Sequence, residues 1–175
     1  MTWTAPPAQP RVVVPTVGDE RLLLESHLDS LRQTVLNKCA GLTAEQLRQR
    51  SVAPSGLTLL GLVRHLTEVE RNWFRQRFAG LDDVPDIYYT AEAPDTDFDA
   101  LDTADPAADF AAYVRELDAV RATVAGRSLD ETYLDPVRGT EISLRWIFVH
   151  LIEEYGRHAG HADLIRERID GRTGD

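Results

Sequence analysis

A row of ionisable side chains occupies the segment from Trp146 to Glu167, near the end of the 175-residue chain. On a helix of 3.6 residues per turn, His150, Glu154, His158 and His161 would lie at i, i+4, i+8 and i+11, along one face. Because side chains four residues apart converge, Glu154 and His158 can hold one small cation between them. The segment therefore predicts a helix face that binds a metal ion.

A third ligand is expected from another helix, because bundle proteins complete metal sites with side chains from facing helices. Residues 57–74 carry apolar side chains at helical spacing, and His65 lies on the shoulder of the apolar stripe. A single histidine in such a position is more often a hydrogen-bonded core residue than a ligand. His65 together with Glu154, His158 and His161 makes four such groups, and burying four of them favours metal coordination over packing alone. Imidazole and carboxylate ligands suit zinc, nickel or iron.

Other residues near this row have simpler interpretations. His150 is predicted to lie above the site or to pack against it. Asp163 either accepts a hydrogen bond from His158 or His161, as partners of metal-bound histidines do, or faces solvent. Trp73 and Trp146 are expected in the core.

Two motifs and a long polar loop between them resemble the DinB/YfiT-like superfamily. The motifs are the segments Leu62–Trp73 and Glu153–Glu167, and the resemblance covers roughly residues 19 to 171. The chain is most similar to actinobacterial DinB-like proteins of unassigned function. Mycothiol-dependent maleylpyruvate isomerases and bacillithiol S-transferases are related. The resemblance implies an all-α, four-helix bundle with one divalent metal.

The same resemblance implies a ligand set. A histidine of the second helix and an i, i+4 pair of the last helix hold the metal, which leaves open positions for water or a thiol. In this chain these positions are His65, Glu154 and His158. Most members have histidine where Glu154 stands, whereas the maleylpyruvate isomerases use glutamate there. His161 is the alternative third ligand, or a catalytic proton shuttle.

The pattern along the chain predicts an extended, proline-rich arm over residues 1–18, a helical domain over 19–171 and a tail over 172–175. Helices are expected from Asp19 to about Gly41, from about Thr58 to Phe78, from Asp105 to Gly126 and from Ser143 to Gly171. A short helical turn at 43–50 and a hairpin-like or extended segment at 132–141 connect them. Residues 80–105 show no sustained period, which predicts a long crossover loop.

Composition excludes several classes of partner. The 19 basic and 29 acidic residues give a net charge of −10, which opposes binding to nucleic acid or to anionic membranes. No segment has the apolar length of a membrane span or the pattern of a signal peptide. The single cysteine, Cys39, excludes an intramolecular disulfide and indicates a reducing compartment, so the expected location is cytoplasmic.

Three functions are consistent with these residues. The first, which the resemblance favours, is thiol chemistry, in which mycothiol either attacks an electrophile (S-transfer) or adds reversibly to isomerise a double bond. The second is metal-assisted hydrolysis by the same ligands. The third is a bundle without catalysis that binds a metal or dimerises. The family also implies a homodimer, and small-molecule thiol and electrophile as partners.

Overall fold

The computed structural model describes residues 3–90 and 96–174 of the chain, and within them the protein is mostly helical with one small sheet. The α-helices are α1 (Glu20–Cys39), α2 (Ala44–Arg48), α3 (Leu59–Glu70), α4 (Thr96–Asp99), α5 (Pro106–Val124) and α6 (Leu144–Asp170). A π-helical segment, Arg71–Phe78, continues α3, and strands β1 (Thr132–Asp135) and β2 (Thr140–Ser143) lie between α5 and α6. Among the described helices, none combines the length and the apolar character that crossing a bilayer requires.

Each long helix begins at a polar side chain that caps its free N–H groups. Asp19 accepts from Leu22 N at the start of α1, and Thr58 accepts from Gly61 N at the start of α3. Asp105 caps α5 and Ser143 caps α6 in the same way. These side chains replace hydrogen bonds that the first helical turn lacks, and they fix where the helices carrying the chemistry start.

The four long helices share one hydrophobic core. α1 packs along α6, and α3 packs along α5 while also contacting α6. The following side chains are almost wholly buried in this core: Leu28, Val35, Leu62, Leu66, Tyr113, Val120, Leu151 and Tyr155. Because α3 contacts α6, the motif at Leu62–Trp73 and the motif at Glu153–Glu167 lie on neighbouring helices.

The described part of the N-terminal arm begins at Trp3 and contains no helix. Thr4 forms an isolated antiparallel bridge with Thr43, and Ala5 exchanges backbone hydrogen bonds with Gly41 and Leu42. The ring of Trp3 packs edge-on against Phe110 of α5, with centroids 5.6 Å apart. Residues 1 and 2 of the predicted arm lie outside the described residues.

The segment at 132–143 is a hairpin with β1 and β2 antiparallel, which confirms the hairpin-like form predicted there and adds a small sheet to the mostly helical fold. The structure differs from the predicted elements at two places. The crossover segment, of which residues 91–95 lie outside the described part, contains the single turn α4 where an irregular loop was predicted. The second long helix changes from α to π geometry after Glu70.

Side-chain pairing accompanies this change of helix type. Arg77 Nε donates to Asn72 Oδ1 at 2.7 Å, between residues five apart, which share a face in a π-helix. The sequence predicted one continuous helix here, because over eight residues the spacing of side chains does not distinguish π turns from α turns.

Candidate metal centre

Helices α3 and α6 bring His65, Glu154 and His158 together. One potential ligand atom from each residue lies within 4.8 Å of the other two. Glu154 and His158 meet because they are one turn apart on α6, and His65 reaches them because α3 packs against that helix. We call these three side chains the ligand cluster. They are the residues predicted as metal ligands.

Within the ligand cluster, Nε2 of His158 lies 3.5 Å from Oε2 of Glu154. The rings of His65 and His158 meet edge-on, with centroids 4.9 Å apart. The His158 side chain is 10% exposed and the Glu154 side chain 15%, whereas that of His65 is 28% exposed. The cluster is therefore closed on the side of α6 and more open on the side of His65.

Burial controls the charge of His158. Its removal from water is the main cause that lowers its pKa from 6.5 to about 4, and the neighbouring His65, His161 and Arg157 lower it further. The imidazole is consequently neutral at neutral pH, which is the form that binds a metal ion.

His65, the second histidine of the ligand cluster, contacts a carboxylate that the sequence analysis did not predict. Oδ2 of Asp97, in α4, lies 2.9 Å from Nδ1 of His65. Asp97 is buried, being 8% exposed. No local pattern indicated this residue, because it lies in a segment without periodicity and its contact spans 32 positions of the chain.

His161 lies beside the ligand cluster but is not part of it. Its Nδ1 is 3.3 Å from Nδ1 of His158. When Nδ1 of His158 carries the hydrogen, it donates to His161 and leaves Nε2 free on the side of Glu154. This contact suits an orienting role for His161, and the predicted role in proton transfer stays a prediction.

His150 packs above the cluster, as the spacing predicted. Its ring stacks on Trp146 and meets Trp73 edge-on, and its Nε2 lies 3.9 Å from Oε1 of Glu154. The prediction that Trp146 is a core residue was wrong, since it is 40% exposed. Its ring instead covers His150 from the solvent side, between that imidazole and Arg138.

Asp163 and Cys39 lie outside the ligand cluster. Of the two interpretations of Asp163, the solvent-facing charge is closer, because its carboxylate is 55% exposed and pairs with Lys38 rather than with a histidine. Cys39 is fully buried, and burial raises the pKa of its thiol to about 12. This thiol is therefore inert as a nucleophile at neutral pH.

A cavity of about 430 Å³ opens beside His65. It is lined by His65, Glu68, Val69, Asn72, Trp73, Arg77, Asp86, Tyr89 and Asp97. Glu68 accepts hydrogen bonds at Oε1 from the backbone N–H groups of Ile87 and Tyr88, and these bonds attach residues 87 and 88 to α3. Oε2 of Glu68 is buried and has no hydrogen-bond partner in the described chain. Burial raises the pKa of the Glu68 carboxyl group.

The charges of this cavity are mainly negative. Three carboxylates line it, and its arginine, Arg77, is paired with Asp135 at 2.9 Å. Trp73 and Tyr89 add aromatic surface. A cavity with carboxylates, an amide and aromatic faces suits an uncharged, hydrogen-bonding molecule better than an anion.

Two imidazoles and one carboxylate are a donor set that fits a divalent metal such as zinc, nickel or iron. Three protein ligands next to a cavity are typical of a catalytic site, because a structural site is closed by a fourth protein ligand.

Comparison with known proteins identifies the family. The model of the family described as mycothiol-S-transferase matches residues 23–171. No curated protein and no solved structure matches the chain. The matched range includes every residue of the ligand cluster and most of the chain. The protein therefore belongs to the mycothiol-S-transferase family, within the DinB-like superfamily that its two motifs resemble.

Proposed function

We propose that this protein is a divalent-metal-dependent S-transferase that uses mycothiol. The observation that carries the proposal is the convergence of His65, Glu154 and His158 beside a cavity in a chain of this family. Zinc is the metal we propose, with nickel or iron as alternatives, because the donors are nitrogen and oxygen.

A divalent metal bound at the cluster would lower the pKa of a thiol at its open position, and the thiolate is the reactive form. The three side chains would hold the metal in different ways. Glu154 would supply a carboxylate oxygen and one negative charge, and the imidazoles of His65 and His158 would each supply a nitrogen lone pair. Of the two candidates for the third ligand, the geometry favours Glu154, since a carboxylate oxygen of Glu154 lies within 4.8 Å of ligand atoms of both His65 and His158. The contact of His161 is with Nδ1 of His158, on the ring edge away from Nε2.

The transfer itself needs no oxidant or reductant. The thiol sulfur forms a bond to carbon of the electrophile, the leaving group departs with its electron pair, and the thiol proton passes to a base. The cavity beside His65 would hold the hydroxyl-rich part of the thiol or the electrophile, with carboxylates accepting hydrogen bonds from hydroxyl groups.

The negative charge of the cavity favours S-transfer to an uncharged electrophile over isomerisation of an anionic substrate. Glu68, Asp86 and Asp97 line it, and they would repel a dicarboxylic acid entering beside the metal. We therefore propose an uncharged electrophile rather than an anionic isomerase substrate.

The resemblance to the superfamily also concerns the bundle and the oligomeric state. We propose that α1, α3 with its π-helical segment, α5 and α6 are the four helices of a DinB-type bundle formed by residues 19–171. We also propose that two copies form a homodimer, which sedimentation equilibrium tests.

The direct test is S-transfer by untagged, zinc-loaded protein. Mycothiol and monochlorobimane, an uncharged fluorogenic electrophile, are mixed with wild type and with Glu154→Gln, His161→Ala and Glu153→Gln. Glu153 is the control, because it is 63% exposed and pairs with Arg157. We expect the rate to fall at least about tenfold in Glu154→Gln and to be unchanged in Glu153→Gln.

The outcome for His161→Ala decides the role of that residue. A lower rate at full zinc occupancy supports proton transfer, and a lower zinc affinity supports orientation of His158. Wild-type protein that binds zinc but accelerates no thiol transfer would contradict the proposal. Hydrolysis of an ester without thiol would favour the hydrolase instead.

A further inference from the structure

The one-turn helix α4 is attached to the face of α3 that carries the cluster. Gly61 of α3 lies against Phe98, where an added Cβ would come within 2.7 Å of the Phe98 ring. Arg64 Nη1 donates to the carbonyl of Ala100 at 2.8 Å. The Phe98 ring also packs on His65, with centroids 5.3 Å apart and planes at 33°. Successive residues on one face of α3 thus hold α4 in place.

This attachment places both oxygens of the Asp97 carboxylate. Oδ1 accepts from the backbone N–H of Phe98 at 3.0 Å, and Oδ2 lies 2.9 Å from Nδ1 of His65. The carboxylate side chain is 12% exposed. Because one oxygen is fixed by the backbone, the other has a defined direction toward the imidazole.

The contact selects one form of His65. A carboxylate can only accept, so Nδ1 of His65 carries the hydrogen, and in the neutral ring Nε2 keeps its lone pair. Nε2 is the ring nitrogen left for the ligand cluster. The Phe98 ring on one side and His158 on another further restrict rotation of the imidazole.

We propose that Asp97 is a positioning residue that fixes the tautomer and the orientation of His65 for metal binding. The proposal rests on the proposed function, in which His65 is a ligand. The role of α4 is then to supply the carboxylate of Asp97, which accepts the hydrogen bond that aligns His65 of α3. Partners of this kind raise the basicity of a metal-bound histidine.

The test compares wild type with Asp97→Ala, Asp97→Asn and Asp99→Ala. Asp99 lies in the same turn, but its carboxylate is 76% exposed and lies 3.9 Å from Arg50 rather than against a histidine. Zinc affinity is measured by competition with a chromophoric chelator. We expect Asp97→Ala to bind zinc about 10- to 100-fold more weakly. Asp97→Asn keeps an acceptor oxygen but not the charge, so its loss should be smaller, and Asp99→Ala should match wild type.

A second readout does not need the metal. Nitrogen-15 NMR of the imidazole rings, in metal-free protein at one fixed pH, reports which ring nitrogen of His65 carries the hydrogen. We expect the Nδ1–H form in wild type and in Asp97→Asn, and a mixture of both forms in Asp97→Ala. Circular dichroism shows whether each variant is folded.

The outcomes separate the two proposals. Zinc binding that is equally tight in wild type and folded Asp97→Ala, with His65 in the same tautomer, would overturn the role of Asp97 and leave the proposed function intact. Wild type without zinc binding would refute the ligand cluster, and the NMR comparison would then still decide whether Asp97 sets the tautomer.

Discussion

The three proposed ligands are fixed by different partners. His65 contacts Asp97 and His158 contacts His161, in both cases through Nδ1. Glu154 has no such single partner: His158, Arg157 and His150 all lie within 4 Å of its oxygens. The two imidazoles can therefore present Nε2 in a defined direction, whereas the carboxylate must leave Arg157 and His150 when it binds a metal ion.

His158 should make the stability of the metal-free protein depend on pH. Its pKa is about 4 in the folded protein and 6.5 for a histidine exposed to water, so between these values the unfolded chain binds a proton that the folded chain does not. The free energy of unfolding should therefore fall as the pH falls from 7 toward 4, by on the order of 3 kcal/mol from this residue.

Urea unfolding in the presence of a chelator, at pH 7 and pH 4.5, measures this effect. His158→Gln removes the titrating group, so the variant should lose less stability on acidification than wild type does. Equal losses in the two proteins would show that His158 does not carry the effect. Exposed His27 provides the control, as His27→Gln should behave like wild type.

Helix periodicity explains which parts of the site could be predicted from the sequence. The i, i+4 spacing of Glu154 and His158 and the position of His65 on an apolar face are local patterns, and the structure brings these three residues together. Asp97 could not be found in this way, because its partner is distant in sequence and α4 is a single turn. Trp146 was misplaced because hydrophobicity alone does not distinguish a core ring from one that covers a histidine.

Gly61→Ala tests how far α4 depends on its contact with α3. The new Cβ would lie 2.7 Å from a ring carbon of Phe98 and 3.1 Å from Oγ1 of Thr58, the cap of the helix. Displacement of Phe98 should move Asp97 away from His65, so we expect weaker zinc binding despite the higher helix propensity of alanine.

Gly156→Ala is the matched control for this substitution. Gly156 also lies within a long helix, close in sequence to the cluster, but an added Cβ there meets nothing within 4 Å. The control should bind zinc normally and be slightly more stable than wild type, by up to about 1 kcal/mol. Unchanged zinc affinity in Gly61→Ala would contradict the proposed dependence on α4.

The shared core contains a buried ion pair that joins α1 to α3. The guanidinium of Arg32 meets both oxygens of Glu70, each at 2.7 Å, and Glu70 is fully buried. Next to this pair, the hydroxyl groups of Tyr113 and Tyr155 lie 2.9 Å apart, joining α5 to α6. All four long helices therefore contribute polar groups to one layer of the core.

Removing one member of the ion pair should cost more than removing both. Glu70→Leu leaves the charge of Arg32 buried and should lower the free energy of unfolding by about 3–5 kcal/mol. Arg32→Met combined with Glu70→Leu replaces the pair by apolar groups and should lose less than Glu70→Leu alone. Urea unfolding of the two variants measures the difference, and a double variant less stable than the single one would contradict this account.

The sequence predicted the long helices but not the charged layer between them. Neither Arg32 nor Glu70 stands out in the sequence, because each looks like an ordinary exposed helix charge until the partner across the core is known. The change to π geometry after Glu70 was equally hidden, because the spacing of side chains over so short a segment does not distinguish a π turn from an α turn.

Metal content is the measurement that tests the ligand cluster most directly. Untagged wild type, His65→Ala, His158→Ala and the control His27→Ala are purified, offered zinc or nickel, freed of excess metal and measured by mass spectrometry. We expect about one divalent ion per chain in wild type and His27→Ala, and a loss of the ion in His65→Ala and His158→Ala. Wild type without metal, or a His65 or His158 variant that keeps it, would refute the proposed metal site.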